Sequence, residues 1–143
     1  MIQLQYEAID AAGLMNQVIR KDCGAVVLFL GTVREITHGQ KTQALTYEAY
    51  PAMAEAELVK IESAARARWP IGELMIVHRL GKLELMECSV AIAVSTPHRV
   101  DAFAAAQWIM EQIKVMVPIW KMDHHTDGPS VWIHPVPFDA GAP

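Results

Sequence analysis

The run TPHRVDAFAAAQWIMEQIKVMVPIWK, residues 96–121, carries His98 and Arg99 near its front and Lys114 and Lys121 near its back. Thr96 as a hydroxyl cap and Pro97 at the first helical position predict a helix starting there. Pro118 ends it by pushing Val117 out of the α region. The first turn of such a helix directs unpaired N–H groups and the positive end of its dipole outward, which suits an anion such as phosphate. Arg99 can add a two-pronged contact and His98 another donor. Arginine at the positive end of a helix is unfavourable unless an anion offsets it. The same pair also reads as an ordinary solvated helix start, and the turn alone leaves both readings open.

At the back, Lys114 and Lys121 would lie about 10 Å apart on one face had the helix continued. The proline lets the chain turn, so Lys121 can return toward Lys114. Burial beside Trp120 and Met116, together with like charge, lowers a lysine pKa and fits it to move protons near neutrality. The alternative is a pair of surface lysines with buried stems. His98 and Lys114 are separated by sixteen residues, about 24 Å of helix. No small molecule spans that, so there are two sites or a two-fold dimer joins one chain's front to the other's back. The dimer is the expectation. A strictly monomeric, fully active protein would refute it.

Other residues carry weaker signals. Arg34 follows the apolar run AVVLFLGTV, at the exit of what reads as a central strand with both faces covered. His124-His125 with His134 suggests metal, but adjacent histidines diverge and neither cysteine has zinc-ligand spacing, so no metal is expected. His78, inside an apolar strand, reads as a hydrogen-bonded sheet residue. Cys23 and Cys88 read as reduced thiols, with Cys88 in the apolar setting that makes a thiol inert. A cysteine-persulfide carrier is the competing possibility. Neither glycine-rich phosphate-loop fingerprint is present.

The elements that must hold these groups follow from periodicity. Ile2, Leu4 and Tyr6 alternate as a half-buried strand. Residues 10–21 predict a short helix capped by Asp10, and 25–33 a strand. A polar loop, 35–43, has His38-Gly39 at its tip. Residues 42–50 predict a strand, and Pro51 opens a helix to Trp69 whose core face is Ala54, Leu58, Ile61 and Ala65. Strands at 74–79 and 88–95 are joined by a connection, 80–87. In the long helix, Ala102, Ala106, Ile109, Ile113 and Met116 form the apolar stripe, widened by Phe103 and Met110. Residues 122–130 are polar, 131–134 a last strand, and the tail 135–143 loose. The class is α+β: a mixed or largely antiparallel sheet with helices packed on it.

At 143 residues the chain makes a single domain, 1–143, with a real core. Its 52% apolar content points to a subunit contact, and its net charge of −4 argues against nucleic acid. No membrane-length apolar run or signal-peptide layout is visible, so a cytoplasmic location is expected.

GAVVLFLGTVRE (24–35), LTYEAYPAMAEAEL (45–58), RWPIGELMIVHRLGKL (68–83), VSTPHRVDAF (94–103) and IKVMVPIWK (113–121) together resemble the large, catalytic subunit of molybdopterin synthase. The resemblance runs in register from about Gly24 to Trp132. It implies an α/β hammerhead-type fold and a sulfurtransferase of molybdenum cofactor biosynthesis, needing no cofactor of its own. Such enzymes convert cyclic pyranopterin monophosphate to molybdopterin, with sulfur from the C-terminal thiocarboxylate of a small ubiquitin-like subunit. A dimer of large subunits carries a small subunit at each end, a heterotetramer. By position, the resemblance implies that Lys114 and Lys121 are catalytic. It also implies that Thr32, Val33 and Arg34 line the substrate site, and that His98 and Arg99 hold the phosphate end across the dimer interface. It further implies that Met122 and Asp123 lie beside the pocket. Two departures stand out: Met86 replaces a usual glycine before the acidic Glu87, and Met122-Asp123 replace a basic residue and glutamate. The alternative from another class is a non-catalytic anion-binding or partner-docking subunit.

Overall fold

The computed structural model describes residues 1–133. In chain order the elements are β1 (Ile2–Gln5), α1 (Ala11–Val18), β2 (Ala25–Thr32), β3 (Ile36–Thr37), β4 (Gln40–Ala49), α2 (Pro51–Arg68), β5 (Glu73–Arg79), β6 (Gly81–Glu84), β7 (Cys88–Thr96), α3 (Arg99–Met116), β8 (Ile119–His125) and β9 (Val131–Ile133). The class is α+β, as expected, but the strands form two sheets instead of one. The first has the order β1-β5-β7-β2, parallel only between β1 and β5. The second is antiparallel and built around β4, which pairs with β3 and β6 along one edge and with β8 along the other, with β9 outside β8.

Period-two alternation explains why the first sheet is covered on both faces. Leu74, Ile76, Ile92 and Val94 of β5 and β7 meet Ala54, Leu58, Ile61 and Ala65 of α2 and Ala105, Ala106, Ile109 and Ile113 of α3. Met75, Val77, Ala91 and Ala93 point the other way, onto Leu14 and Val18 of α1. Asp10 caps α1 as its type predicts, its carboxylate accepting the Gly13 N–H at 3.0 Å. The buried stripe of α2 is the predicted one.

Several expectations are corrected. The apolar run 25–33 is an edge strand, not a central one, and Val26, Phe29 and Leu30 remain exposed. Apolar content cannot distinguish a strand covered by its own chain from one that presents an apolar edge. The helix expected from Thr96 starts at Arg99, with His98 as N-cap. Thr96 completes β7 fully buried, its hydroxyl donating to the His98 carbonyl at 2.6 Å. Met116 and Phe103 lie outside the buried stripe, Phe103 64% exposed. The loop 35–43 is largely a hairpin: His38 (φ 49) and Gly39 (φ 77) form a two-residue turn between β3 and β4. The connection 80–87 contains β6, and β8 occupies 119–125, where a turn and polar segment were expected. Both were hidden because each is short and interrupted by charged residues, exposed Lys82 and Glu84 in β6 and the more enclosed Lys121 and Asp123 in β8. His134 and the tail 135–143 lie outside the described residues.

The chain passes between the two sheets at neighbouring places. β2 leads toward the β3 hairpin, β5 turns into β6, and α3 runs into β8. At the second of these crossings Gly81 adopts φ 88, where a Cβ would be strained. The candidate chemistry gathers near this junction.

Candidate active site

Lys121 is the centre of the arrangement. β8 presents Ile119, Lys121 and Asp123 on one face, because alternate residues of a strand share a face. Tyr47 of β4 is the register partner of Lys121 and Leu45 that of Asp123. Lys121 is half-buried, and its pKa lies below the usual lysine value. Burial is the main cause, followed by the positive charge of Lys114, with Arg34 adding to it and Asp123 opposing it. Three chain segments thus place charge around one ammonium: Arg34 after β2, Lys114 in the last turn of α3, and Asp123 on β8 itself. The return of Lys121 toward Lys114 is made by β8, which runs back along β4 after Val117 and Pro118.

Asp123 is 3% exposed. One carboxylate oxygen accepts the Thr42 hydroxyl at 3.0 Å; the other lies 3.6 Å from His125 Nδ1 and has no hydrogen-bond partner among the described residues. A carboxylate so confined stays available to a neighbouring cation. Arg34 is exposed and donates from Nε to Thr37 Oγ1 at 3.3 Å.

Beneath Lys121 and Tyr47 the wall is neutral. His78, 6% exposed, packs edge-on against the Tyr47 ring with centroids 5.1 Å apart. Its Nδ1 lies 2.9 Å from the Arg79 carbonyl, which fixes that nitrogen as the donor. Burial lowers its pKa to about 4, so the ring is uncharged near neutrality. Burial also raises the Tyr47 phenol, which therefore stays protonated. Tyr47 is the neighbour that sequence reasoning missed. The alternation of Leu45, Tyr47 and Ala49 was legible, but the pairing that sets Tyr47 opposite Lys121 was not.

The remaining site candidates fall in three places. Thr32 is exposed at the end of the β2 edge. Val33 is 2% exposed, its side chain turned inward. Met122 is on the opposite face of β8 from Lys121, beside Thr46 and Trp132 in the register. His98 and Arg99 open α3 at the end remote from Lys114, and within one chain they do not meet the lysines. Among the described residues no side chain caps that helix end.

Both cysteines are free. Cys88 donates to the Val90 carbonyl at 3.3 Å, and burial raises its thiol pKa, the opposite of what a nucleophilic thiolate needs. His124 is held between Thr46 Oγ1 at 2.8 Å and Ser130 Oγ at 2.9 Å. Among the described residues no cluster of three metal-binding side chains occurs. Nor is any described helix long and apolar enough to cross a membrane.

Residues 4–116 match the MoaE protein family. The chain is 47% identical over 120 residues to the molybdopterin synthase catalytic subunit of Halalkalibacterium halodurans, covering 84% of this chain and 76% of that one. It is 50% identical over 130 residues to the subunit of that name from Staphylococcus aureus, covering 91% and 87%. Among solved structures, it superposes on molybdopterin synthase from Staphylococcus aureus with TM-score 0.85 and 44% identity, covering 91% of this chain and 94% of that one. The molybdopterin cofactor biosynthesis protein E of Burkholderia multivorans gives TM-score 0.76 at 35% identity, covering 96% and 90%.

Proposed function

Because this chain belongs to the MoaE protein family, we infer that it is the catalytic subunit of a molybdopterin synthase, a sulfurtransferase of molybdenum cofactor biosynthesis. Its sulfur donor is the C-terminal thiocarboxylate of a small ubiquitin-like subunit, and its acceptor is cyclic pyranopterin monophosphate. The working assembly is a dimer of this chain with one small subunit at each end, in the reducing cytoplasm, consistent with two unpaired thiols.

The observation that carries the site assignment is the gathering of Arg34, Lys114 and Asp123 charge around half-buried Lys121. As the thiocarboxylate sulfur adds to the pterin, a substrate oxygen leaves as water. A second water then cleaves the acyl carbon–sulfur bond, leaving sulfur on the pterin and a carboxylate on the donor; negative charge develops on oxygen in both steps. Lys114 and Lys121 stabilise that charge and carry protons, with Lys121 suited to proton transfer by its lowered pKa. Arg34 steadies the donor and substrate anions, with Thr32 beside it. Val33 and Met122 contribute packing, and the Asp123 carboxylate acts on Lys121 through its charge, opposing the lowering of the lysine pKa. Both thiols are spectators, since the donor brings its own sulfur.

His98 and Arg99, about 24 Å of helix from Lys114, bind the substrate phosphate in the partner's site. A mixing experiment tests both halves of this reading. Arg99→Ala and Lys114→Ala are each expected to fold and to lose most turnover when supplied with thiocarboxylated small subunit and pterin. After subunit exchange in equal amounts, half the dimers are mixed and each carries one intact site, so about a quarter of wild-type activity returns. No recovery despite confirmed exchange would place both clusters in one chain's site. Full activity of Lys114→Ala alone would leave only an anion-binding or docking subunit.

A further inference from the structure

Arg34 has no regular element of its own; it sits between the end of β2 and the two-residue strand β3. Its direction is set by Val33, whose side chain is buried and whose two backbone groups are both taken. The Val33 N–H donates to the Glu87 carbonyl at 3.0 Å, and the Val33 carbonyl accepts the Met86 N–H at 2.8 Å. One residue earlier the β2–β7 register shifts between Gly31 and Thr32, an irregularity of the kind that re-aims a strand end. The segment is therefore hooked, just before Arg34, onto the turn between β6 and β7.

That turn is itself clamped. The Glu87 N–H closes it on the Glu84 carbonyl at 3.2 Å, with Met86 at φ 70 in the third position, where glycine is favoured. The Glu87 carboxylate spans it from outside: one oxygen accepts the Glu84 N–H at 2.7 Å, the other the Arg79 guanidinium at 3.3 Å. Arg79 is anchored in turn by donating from Nε to the Tyr6 carbonyl at 3.0 Å. A strained turn persists only where its surroundings over-determine it, and these contacts do so.

We propose that Glu87, braced by Arg79, is a positioning residue for Arg34: it fixes the turn that holds Val33 and so aims the guanidinium into the site. This rests on the functional reading above, in which Arg34 meets the substrate. The Glu87 carboxylate is taken up by the Glu84 N–H and the Arg79 guanidinium, so its loss should act on substrate binding through the aim of Arg34.

A double-mutant cycle separates this from a general structural role. Glu87→Gln should remain folded by near-ultraviolet circular dichroism and raise the pterin KM about tenfold, with kcat changing little. Glu87→Asp, which keeps the charge, should restore most of the affinity, and Arg79→Lys should repeat the Glu87→Gln signature if the latter folds poorly. In an Arg34→Ala background, Glu87→Gln should change KM no further. An equal rise in both backgrounds, or none in either while Arg34→Ala alone weakens binding, overturns the positioning role and leaves the site reading standing. If Arg34→Ala alone changes neither KM nor kcat, the site reading falls and this proposal with it.

Discussion

Lys121 shows how one side chain can be tuned by position. Its face of β8 also carries Asp123, the adjacent strand offers Tyr47, and Lys114 and Arg34 supply like charge. Folding thus holds the charged form in a setting it disfavours. For a lysine whose folded pKa lies below its unfolded value, the unfolded chain binds more protons between the two values, so stability rises with pH across that window. At neutral pH the group is therefore a source of instability, which the catalytic role proposed for it accounts for. Replacing it with an apolar side chain of similar length, Lys121→Met, should raise the melting temperature at pH 7 while removing most sulfur transfer. A variant that is both inactive and clearly less stable would contradict this account of Lys121. The sequence placed Lys121 near Lys114 but could not set Tyr47 opposite it, since that depends on β8 pairing with β4.

At the level of elements, the turn before β7 is the clearest conflict between local preference and fold. Met86 is 85% exposed and holds a left-handed backbone that costs a non-glycine residue about 1–2 kcal/mol. Met86→Gly relieves that strain but gives the unfolded chain more freedom, worth about 0.4–1 kcal/mol in the other direction. The net expectation is a stabilisation of about 0.5–1 kcal/mol, readable as a higher urea midpoint at unchanged slope. An unchanged or lower midpoint would mean that the methionine side chain contributes packing that outweighs its backbone strain. The position itself was singled out from the sequence, where the family resemblance leads one to expect glycine in place of Met86. The hydrogen bonds that tie this turn to Val33 join residues more than fifty positions apart and left no local trace.

For the whole molecule, the buried histidine of β5 should govern acid stability. His78 has its pKa lowered from 6.5 to about 4 by burial, so it is neutral when folded and protonates when unfolded. Its contribution is fully present above pH 6.5 and is lost as pH falls from there toward 4, to a total of about 3 kcal/mol. His78→Gln should therefore flatten the fall in unfolding free energy between pH 7 and pH 4.5, measured by urea titration. An equally steep fall in the variant would assign the acid limb to other groups. Read by itself, the sequence determined the existence of the helices, the inward stripe of α2 and most of that of α3, the α+β class, the family resemblance and the cationic residues at the two ends of α3. These are local or periodic properties, written at fixed spacing along the chain. The division of strands into two sheets, the edge position of β2, the existence of β6 and β8, and the pairing that sets Tyr47 opposite Lys121 were decided only by the tertiary structure. Strand pairing depends on distant partners, and a short strand with one polar face carries too little periodic signal to announce the neighbour it will find.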